Sequence, residues 1–163
     1  MMILKTSSEK RYGIIPNLLV GAILIIAFTG FLDAAYLTAK RLTGSALTCY
    51  FFSGCDKVNA SPYSLIFGLP LSLYGSIFYL TVVLSAVAYI QKKQAFIAKT
   101  LMALTTLGFL LSMYFFYIQA FIIGAYCFYC VVSIFTSTTN FILMSFAWRK
   151  YFTKPPQIEP SMV

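Results

Sequence analysis

The chain has 163 residues, of which 60% are hydrophobic and only 10% are charged, and its formal net charge is +8. Soluble domains are about 25% charged, so the composition indicates a membrane protein of a length that fits one domain. The lack of histidine excludes histidine general bases, Ser-His-Asp triads and histidine-ligated haem or zinc. The basic residues flank apolar segments and form no single patch, so we predict no nucleic-acid binding.

The first apolar run covers residues 14–39 and follows a basic N-terminal tail, residues 1–13. It is long enough to span a bilayer, which takes about 20 residues. It also lacks a small-residue cleavage pattern, so we predict a retained transmembrane helix and no signal peptide. Asp33 lies near its far end. Because acids inside membranes are costly and usually have a partner, Asp33 is either an interfacial or capping residue or a polar contact to the following loop.

The longest polar stretch, residues 40–68, comes next and contains Cys49 and Cys55. Its length between two membrane helices indicates a functional outer loop. A short helical turn is predicted to begin near Asp56.

Three further apolar runs predict transmembrane helices over residues 69–90, 96–123 and 127–148. The predicted fold is therefore an all-α bundle of four transmembrane helices within residues 14–150. A C-terminal tail, residues 151–163, follows the bundle.

The positions of Lys and Arg predict the orientation of the bundle. Nine of the twelve basic residues lie in or next to the two tails and the turn between the second and third helices. The other three, Lys40, Arg41 and Lys57, lie in the outer loop. The positive-inside rule then places both termini in the cytoplasm. The predicted location of the protein is the inner or plasma membrane of the cell. All four cysteines fall on the outer side, where disulfides persist.

Cys127 and Cys130 form a C-x-x-C pair at the start of the fourth helix. Helical residues i and i+3 have Cβ atoms about 5–6 Å apart, whereas a disulfide prefers about 3.8 Å, so a Cys127–Cys130 bond is predicted to be reducible. The helix N-terminus favours the thiolate, above all at Cys127. Exchange with the loop pair Cys49 and Cys55, followed by reduction of a lipid-soluble quinone, would form an electron relay.

Two other interpretations of the cysteines stay open. They are structural disulfides in a non-enzymatic tetraspan protein, or a metal site with four thiolate ligands. Lipid already confines a short membrane helix, which has little need of a disulfide. The spacings C-x5-C and C-x2-C also match the usual zinc pairs poorly. We therefore favour redox chemistry and predict no metal.

These residues resemble the vitamin K epoxide reductase family, over roughly residues 14–148. The end of the first helix resembles the bacterial branch of that family. The segments that carry the resemblance are Cys49-x5-Cys55, Ser61, Gly68-Leu69-Pro70, Tyr74-Gly75, Cys127-Phe128-Tyr129-Cys130 and, for the bacterial branch, Asp33-Ala34-Ala35-Tyr36-Leu37.

The resemblance implies a four-helix bundle around a quinone, with the outer loop folded over the site. It implies a Cys49–Cys55 disulfide whose Cys49 meets the redox partner, and a transient Cys55–Cys127 disulfide. It also implies that Cys130 faces the quinone. Ser61 matches a serine of the family's loop motif and is either a hydrogen-bonding residue near the loop cysteines or a helix N-cap.

The chain departs from the vertebrate members at the quinone. Those members hydrogen-bond it through an Asn on the second helix and a Tyr one turn after the last Cys, where this chain has about Leu71 and Ile134. The identity of the quinone, whether ubiquinone, menaquinone or phylloquinone, stays open. Candidate contacts at the outer end of the third helix and in the loop after it are Tyr114, Tyr117, Gln119 and Tyr126.

Many bacterial members carry a fused thioredoxin-like domain. This chain ends at Val163, so the resemblance leads us to expect a separate thioredoxin-like partner. The predicted function is a quinone-dependent thiol–disulfide oxidoreductase that supports disulfide formation in exported proteins. The alternative within the family is a vitamin K epoxide or quinone reductase of the vertebrate type.

Overall fold

The protein is described by a computed structural model over residues 15–44 and 54–152. Four long helices in it are apolar enough to cross a membrane, which confirms the predicted all-α membrane bundle. In chain order the helices are α1 (Asn17–Leu42), the short α2 (Cys55–Ala60), α3 (Leu71–Lys92), α4 (Ala95–Tyr117) and α5 (Phe128–Phe152).

The first helix begins at Asn17, three residues later than the apolar run alone predicts. Pro16 precedes it in an extended conformation, with φ −63° and ψ 141°. Proline has no backbone N–H, so directly before the first turn it removes one of the donors that a helix start leaves without a partner. The helix continues to Leu42, because polarity at Lys40 and Arg41 does not by itself end a helix.

Helices α1 and α3 pack antiparallel along their whole length. The Ile15 backbone N–H donates to the Tyr89 hydroxyl over 3.1 Å at one end, and the Thr38 and Ser76 hydroxyls lie 3.4 Å apart near the other. Between these contacts Gly30 faces Tyr79, which is 2% exposed. The core of the bundle therefore sits between α1 and α3 and extends to α4 and α5.

Part of the loop before α3 forms regular secondary structure. After α2 comes a 3₁₀ turn, Pro62–Ser64, and then a hairpin of β1 (Leu65–Ile66) and β2 (Leu69–Pro70). The hairpin turn, Phe67 and Gly68, has positive φ at both residues, 50° and 80°, as a two-residue type I′ turn requires. The sequence predicts the helical turn at α2 but not this hairpin.

Helix α4 does not end as a regular helix. It passes into a π-helical turn, Ile118–Ile123, and stops at Gly124 in the left-handed conformation with φ 60°. Glycine adopts that conformation without the steric cost that a Cβ imposes. This turn leads directly into the segment before α5, where the C-x-x-C pair lies.

A substitution of Gly30 tests the α1–α3 contact. A Cβ at position 30 would lie 2.5 Å from the Tyr79 ring, which cannot move without breaking its buried hydrogen bonds. We expect Gly30→Ala to destabilise the protein by about 1–3 kcal/mol, as overpacking of a core does, and to lower the Tm in detergent.

The matched control is Gly21→Ala on the same helix, where an added Cβ meets nothing within 4 Å. An unchanged Tm for Gly30→Ala would show that α1 and α3 do not pack as described.

Candidate active site

Cys55 and Cys127 lie together at one end of the bundle. Each is 1% exposed, and both belong to one apolar cluster with Leu37 and Val58. The Arg41 guanidinium donates to the Asn59 carbonyl oxygen and so ties α1 to the helix that Cys55 begins. The sequence pairs these two cysteines only through the family resemblance, and the structure brings them into the same cluster.

Glycine at position 54 permits this approach. A Cβ there would lie 2.7 Å from the Tyr126 carbonyl oxygen and 3.0 Å from the Ala125 Cβ. The backbone before α2 therefore rests directly on the segment that precedes Cys127. Any larger residue would move Cys55 away from Cys127.

The cysteines differ in oxidation state. Cys55 is disulfide-bonded, whereas Cys127 and Cys130 are free thiols. Cys49, its predicted partner, lies outside the described residues, so the Cys49–Cys55 pairing stays a prediction.

The predicted Cys127–Cys130 disulfide is not formed in this structure, in which the two thiols hydrogen-bond to each other. The i, i+3 spacing at a helix start holds the two Cβ atoms farther apart than a relaxed disulfide needs. The structure thus shows the reduced form of the pair, and its disulfide stays a prediction for the oxidised form.

Cys127 is the N-cap residue of α5 and not its first helical residue. Its carbonyl oxygen accepts from the Val131 N–H over 3.0 Å. Its sulfur accepts hydrogen bonds from the Cys130 thiol and from the backbone N–H groups of Cys130 and Tyr129. A sulfur in this position takes the place of the oxygen that caps most helices. These donors, the Cys130 thiol first, lower the pKa of Cys127 to about 7.

Gln119 holds the same segment from the side of α4. It is 4% exposed and lies in the π-helical turn. Its Oε1 accepts from the Cys127 backbone N–H over 3.2 Å, and its side chain also hydrogen-bonds to Cys130. The sequence predicts Gln119 as a quinone contact, and the structure adds direct contacts to both cysteines of the pair.

A cavity of about 230 Å³ opens beside Cys127 and Cys130. All four long helices and the segment after α2 contribute to its lining, which is mostly apolar. Gln119 and Asp33 both line it. Few polar groups in an otherwise apolar cavity are typical of a site for a small organic ligand.

The polar end of the cavity is formed by Tyr79. Its hydroxyl donates to the Ser133 carbonyl oxygen over 2.8 Å. It also lies 2.8 Å from the Ser137 hydroxyl and 2.9 Å from that of Thr136. The sequence alone does not predict these residues as part of the site. The available signal is the polar spacing Ser133, Thr136, Ser137, which continues one helix face after Cys130.

Asp33 and Ser61 both line the cavity. Asp33 lies nine residues before the end of α1, so it does not cap the helix, and it interacts electrostatically with Cys127 and Cys130. The Ser61 hydroxyl donates to the Val58 carbonyl oxygen over 2.7 Å. Ser61 stands in the N-cap position before Pro62 but makes no side-chain cap bond there, so it closes the end of α2 instead.

Three of the four predicted quinone contacts do not line the cavity. Tyr114, Tyr117 and Tyr126 are 58%, 55% and 41% exposed, and none belongs to the lining. The positions that replace the vertebrate Asn and Tyr, Leu71 and Ile134, both line it. Within residues 15–44 and 54–152, no three His, Cys, Asp or Glu side chains cluster as a metal site would need.

Comparison with known proteins gives two matches. The model of the vitamin K epoxide reductase family matches residues 21–145, which include all four cysteines. Thiol-disulfide oxidoreductase LTO1 of Arabidopsis thaliana is 36% identical over 120 residues, which are 69% of this chain and 32% of that protein. The chain thus spans about a third of the length of this relative.

The low pKa of Cys127 can be tested by titration. In the reduced protein we expect the ultraviolet absorbance of the Cys127 thiolate to rise through a midpoint near pH 7, against about 8.5 for an ordinary cysteine. Cys130→Ala removes the main donor and should move the midpoint toward the ordinary value. Cys130→Ser keeps a hydroxyl donor and should move it less.

A Cys127→Ser variant supplies the baseline for this titration. A wild-type midpoint above pH 8, or equal midpoints for Cys130→Ala and the wild type, would contradict the hydrogen-bonding described for the pair.

Proposed function

The chain belongs to the vitamin K epoxide reductase family, and on this premise we propose that it is a membrane thiol–disulfide oxidoreductase that reduces a quinone. One observation carries the proposal. The free thiols of Cys127 and Cys130 line an apolar cavity, and Cys127 shares a buried cluster with the disulfide-bonded Cys55. The relative from Arabidopsis bears the name of the same class of activity.

The proposed electron path runs from the loop pair to the helix pair. A partner dithiol reduces the Cys49–Cys55 disulfide to two thiols, and the partner becomes a disulfide. The Cys55 thiolate then attacks Cys127 of an oxidised Cys127–Cys130 pair, and Cys130 leaves as a thiolate. Attack of Cys49 on Cys55 reforms the loop disulfide and frees Cys127. The pair of electrons has then moved to Cys127 and Cys130.

The oxidation states in the structure match the end of this transfer. Cys55 is in a disulfide, and Cys127 and Cys130 are thiols. Their return to a disulfide would release the two electrons and two protons that reduction of a quinone to the quinol requires.

The cavity fits a quinone ring in chemistry and in place. Its apolar lining suits a lipid-soluble ring, and the Ser133 and Ser137 hydroxyls, which lie beside the Tyr79 hydroxyl, offer hydrogen-bond donors to ring oxygens. These hydroxyls would take the role of the Asn and Tyr donors of the vertebrate members, because the side chains of Leu71 and Ile134 have no hydrogen-bond donor. Cys127 and Gln119 are buried and would keep water away from a ring that binds beside the thiols.

We further propose that the site lies on the outer side of the cell membrane and serves a thioredoxin-like partner that oxidises exported proteins. Basic residues near the opposite end of the bundle, Lys92, Lys93, Arg149 and Lys150, support this orientation. Thioredoxin-like proteins carry the C-x-x-C dithiols that reduce such loop disulfides.

A quinone-reduction assay tests the proposed activity. With reduced thioredoxin as donor, the purified protein should reduce a short-chain ubiquinone or menaquinone. Cys130→Ala should lower the rate to background, because the second thiol needed to form the disulfide is gone. Gly21→Ala, remote from the cavity, is the control and should keep the wild-type rate. Equal rates for wild type and Cys130→Ala would refute a redox role for the pair.

A second experiment tests the order of the relay. In Cys49→Ala the Cys55–Cys127 bridge cannot be resolved by Cys49, so this mixed disulfide should accumulate. Acid quenching, alkylation of free thiols and mass spectrometry of the digested protein would detect it. The double variant Cys49→Ala/Cys55→Ala is the control and should show no bridge to Cys127. Finding only a Cys127–Cys130 disulfide in the single variant would exclude this order.

A further inference from the structure

We propose that Gln119 is a positioning residue that sets the balance between the dithiol and disulfide forms of Cys127 and Cys130. Its amide group binds the backbone of one cysteine and the sulfur of the other. The inference deepens the proposed redox function and rests on it for its biological meaning. Its test, however, measures the thiols themselves and needs no quinone.

The two contacts of Gln119 use opposite ends of one amide. Its Oε1 accepts from the Cys127 N–H over 3.2 Å. A carbonyl oxygen that accepts this bond leaves the NH₂ group as the end available to Cys130, whose sulfur hydrogen-bonds to the Gln119 side chain. If the Gln119 amide were rotated by 180°, its NH₂ group would face the Cys127 N–H, and two donors would oppose each other. The orientation of the amide is therefore fixed.

The backbone of Gln119 is tied to the same segment. Its carbonyl oxygen accepts from the Ala125 N–H over 3.3 Å, and the left-handed Gly124 makes this return of the chain possible. The residue lies in the π-helical turn, and such turns often occur at functional sites. A regular helix would place position 119 differently against α5, so the π-helical turn and the amide contacts form one arrangement.

The contacts connect into a chain of donors that ends at Cys127. The Gln119 NH₂ group donates to the Cys130 sulfur, and the Cys130 thiol donates to the Cys127 sulfur. Hydrogen bonds in such a chain polarise and strengthen one another. A bond to a charged acceptor is also about twice as strong as one between neutral groups. Gln119 therefore stabilises the reduced pair with its charge on Cys127.

The NH₂ donor of Gln119 is important because of the other titratable groups that face Cys127 and Cys130. The titratable side chains that line the cavity beside the two cysteines are Asp33 on α1, Tyr74 and Tyr79 on α3 and Tyr63 in the loop. No cation is among these lining residues. Gln119 thus opposes the Asp33 carboxyl, which acts against a negative charge on either sulfur.

Gln119→Glu separates the two contacts. A glutamate keeps an oxygen for the Cys127 N–H but replaces the donor to Cys130 with a second oxygen and adds a charge. We expect the midpoint of Cys127 thiolate formation to move up by about one pH unit. We also expect the equilibrium with a glutathione buffer to shift at least tenfold toward the disulfide, a potential about 30 mV more negative.

Gln119→Met provides the second variant, since it removes both hydrogen bonds without adding charge and should shift both quantities in the same direction by less. Gln94→Glu is the matched control, because Gln94 lies exposed at the opposite end of the bundle, before α4. Thiolate formation is followed by ultraviolet absorbance, and the disulfide fraction by acid quenching, alkylation and mass spectrometry.

Unchanged midpoint and equilibrium in both Gln119 variants would overturn the inference. A lowered Tm with both thiol quantities unchanged would also overturn it, by showing a purely structural role. Shifted thiol quantities in a protein that reduces no quinone would instead support the positioning role and refute the proposed function.

Discussion

The N-terminus of α5 is the point on which the site depends. A helix start leaves backbone N–H groups without partners, and here a cysteine sulfur, not a side-chain oxygen, accepts them. Capping of the helix and stabilisation of the thiolate are therefore the same contact. Whatever stabilises the helix start also stabilises the thiolate. The hydrogen bonds of this helix start thus favour the reduced form of the pair.

The remaining structure holds this helix start in place from three sides. The π-helical turn brings Gln119 to the Cys127 backbone. Gly54, directly before α2, rests on the segment before Cys127 without a side chain between them. Deeper in the bundle, Tyr79 links α3 to α5 through its buried hydroxyl. Each contact comes from a different element, so the position of the cysteine pair relative to the cavity is set by the whole bundle.

Hydrophobic run lengths predict the four membrane helices because lipid demands about the same number of apolar residues in every span. The structure of the segments between these helices depends on interactions that leave a weaker pattern in the sequence. The π-helical turn continues an apolar run and cannot be told from α-helix by composition. The hairpin at Leu65 to Pro70 has strands of two residues each, too short to show alternation.

The residues of the candidate site likewise fall into those that the sequence predicts and those that it does not. The cysteines are identifiable because the chain has four of them in two close pairs, and Gln119 because an amide is rare in an apolar segment. Nearness along the chain to the outer end of α4 predicts Tyr114 and Tyr117 as contacts, but helical rotation places them away from the cavity. The role of Tyr79 is not predictable because its hydroxyl partners lie more than 50 residues away in sequence, and long-range contacts leave no local signal.

The burial of Cys55 and Cys127 limits how fast dissolved thiols can react with them. Both sulfurs are covered by protein, with 1% of each residue exposed. Dissolved small thiols such as glutathione reach buried sulfur slowly, since exchange requires in-line attack on an accessible atom. Exchange of Cys55 and Cys127 with dissolved thiols is therefore slow, and an equilibrium with a glutathione buffer takes correspondingly long to reach.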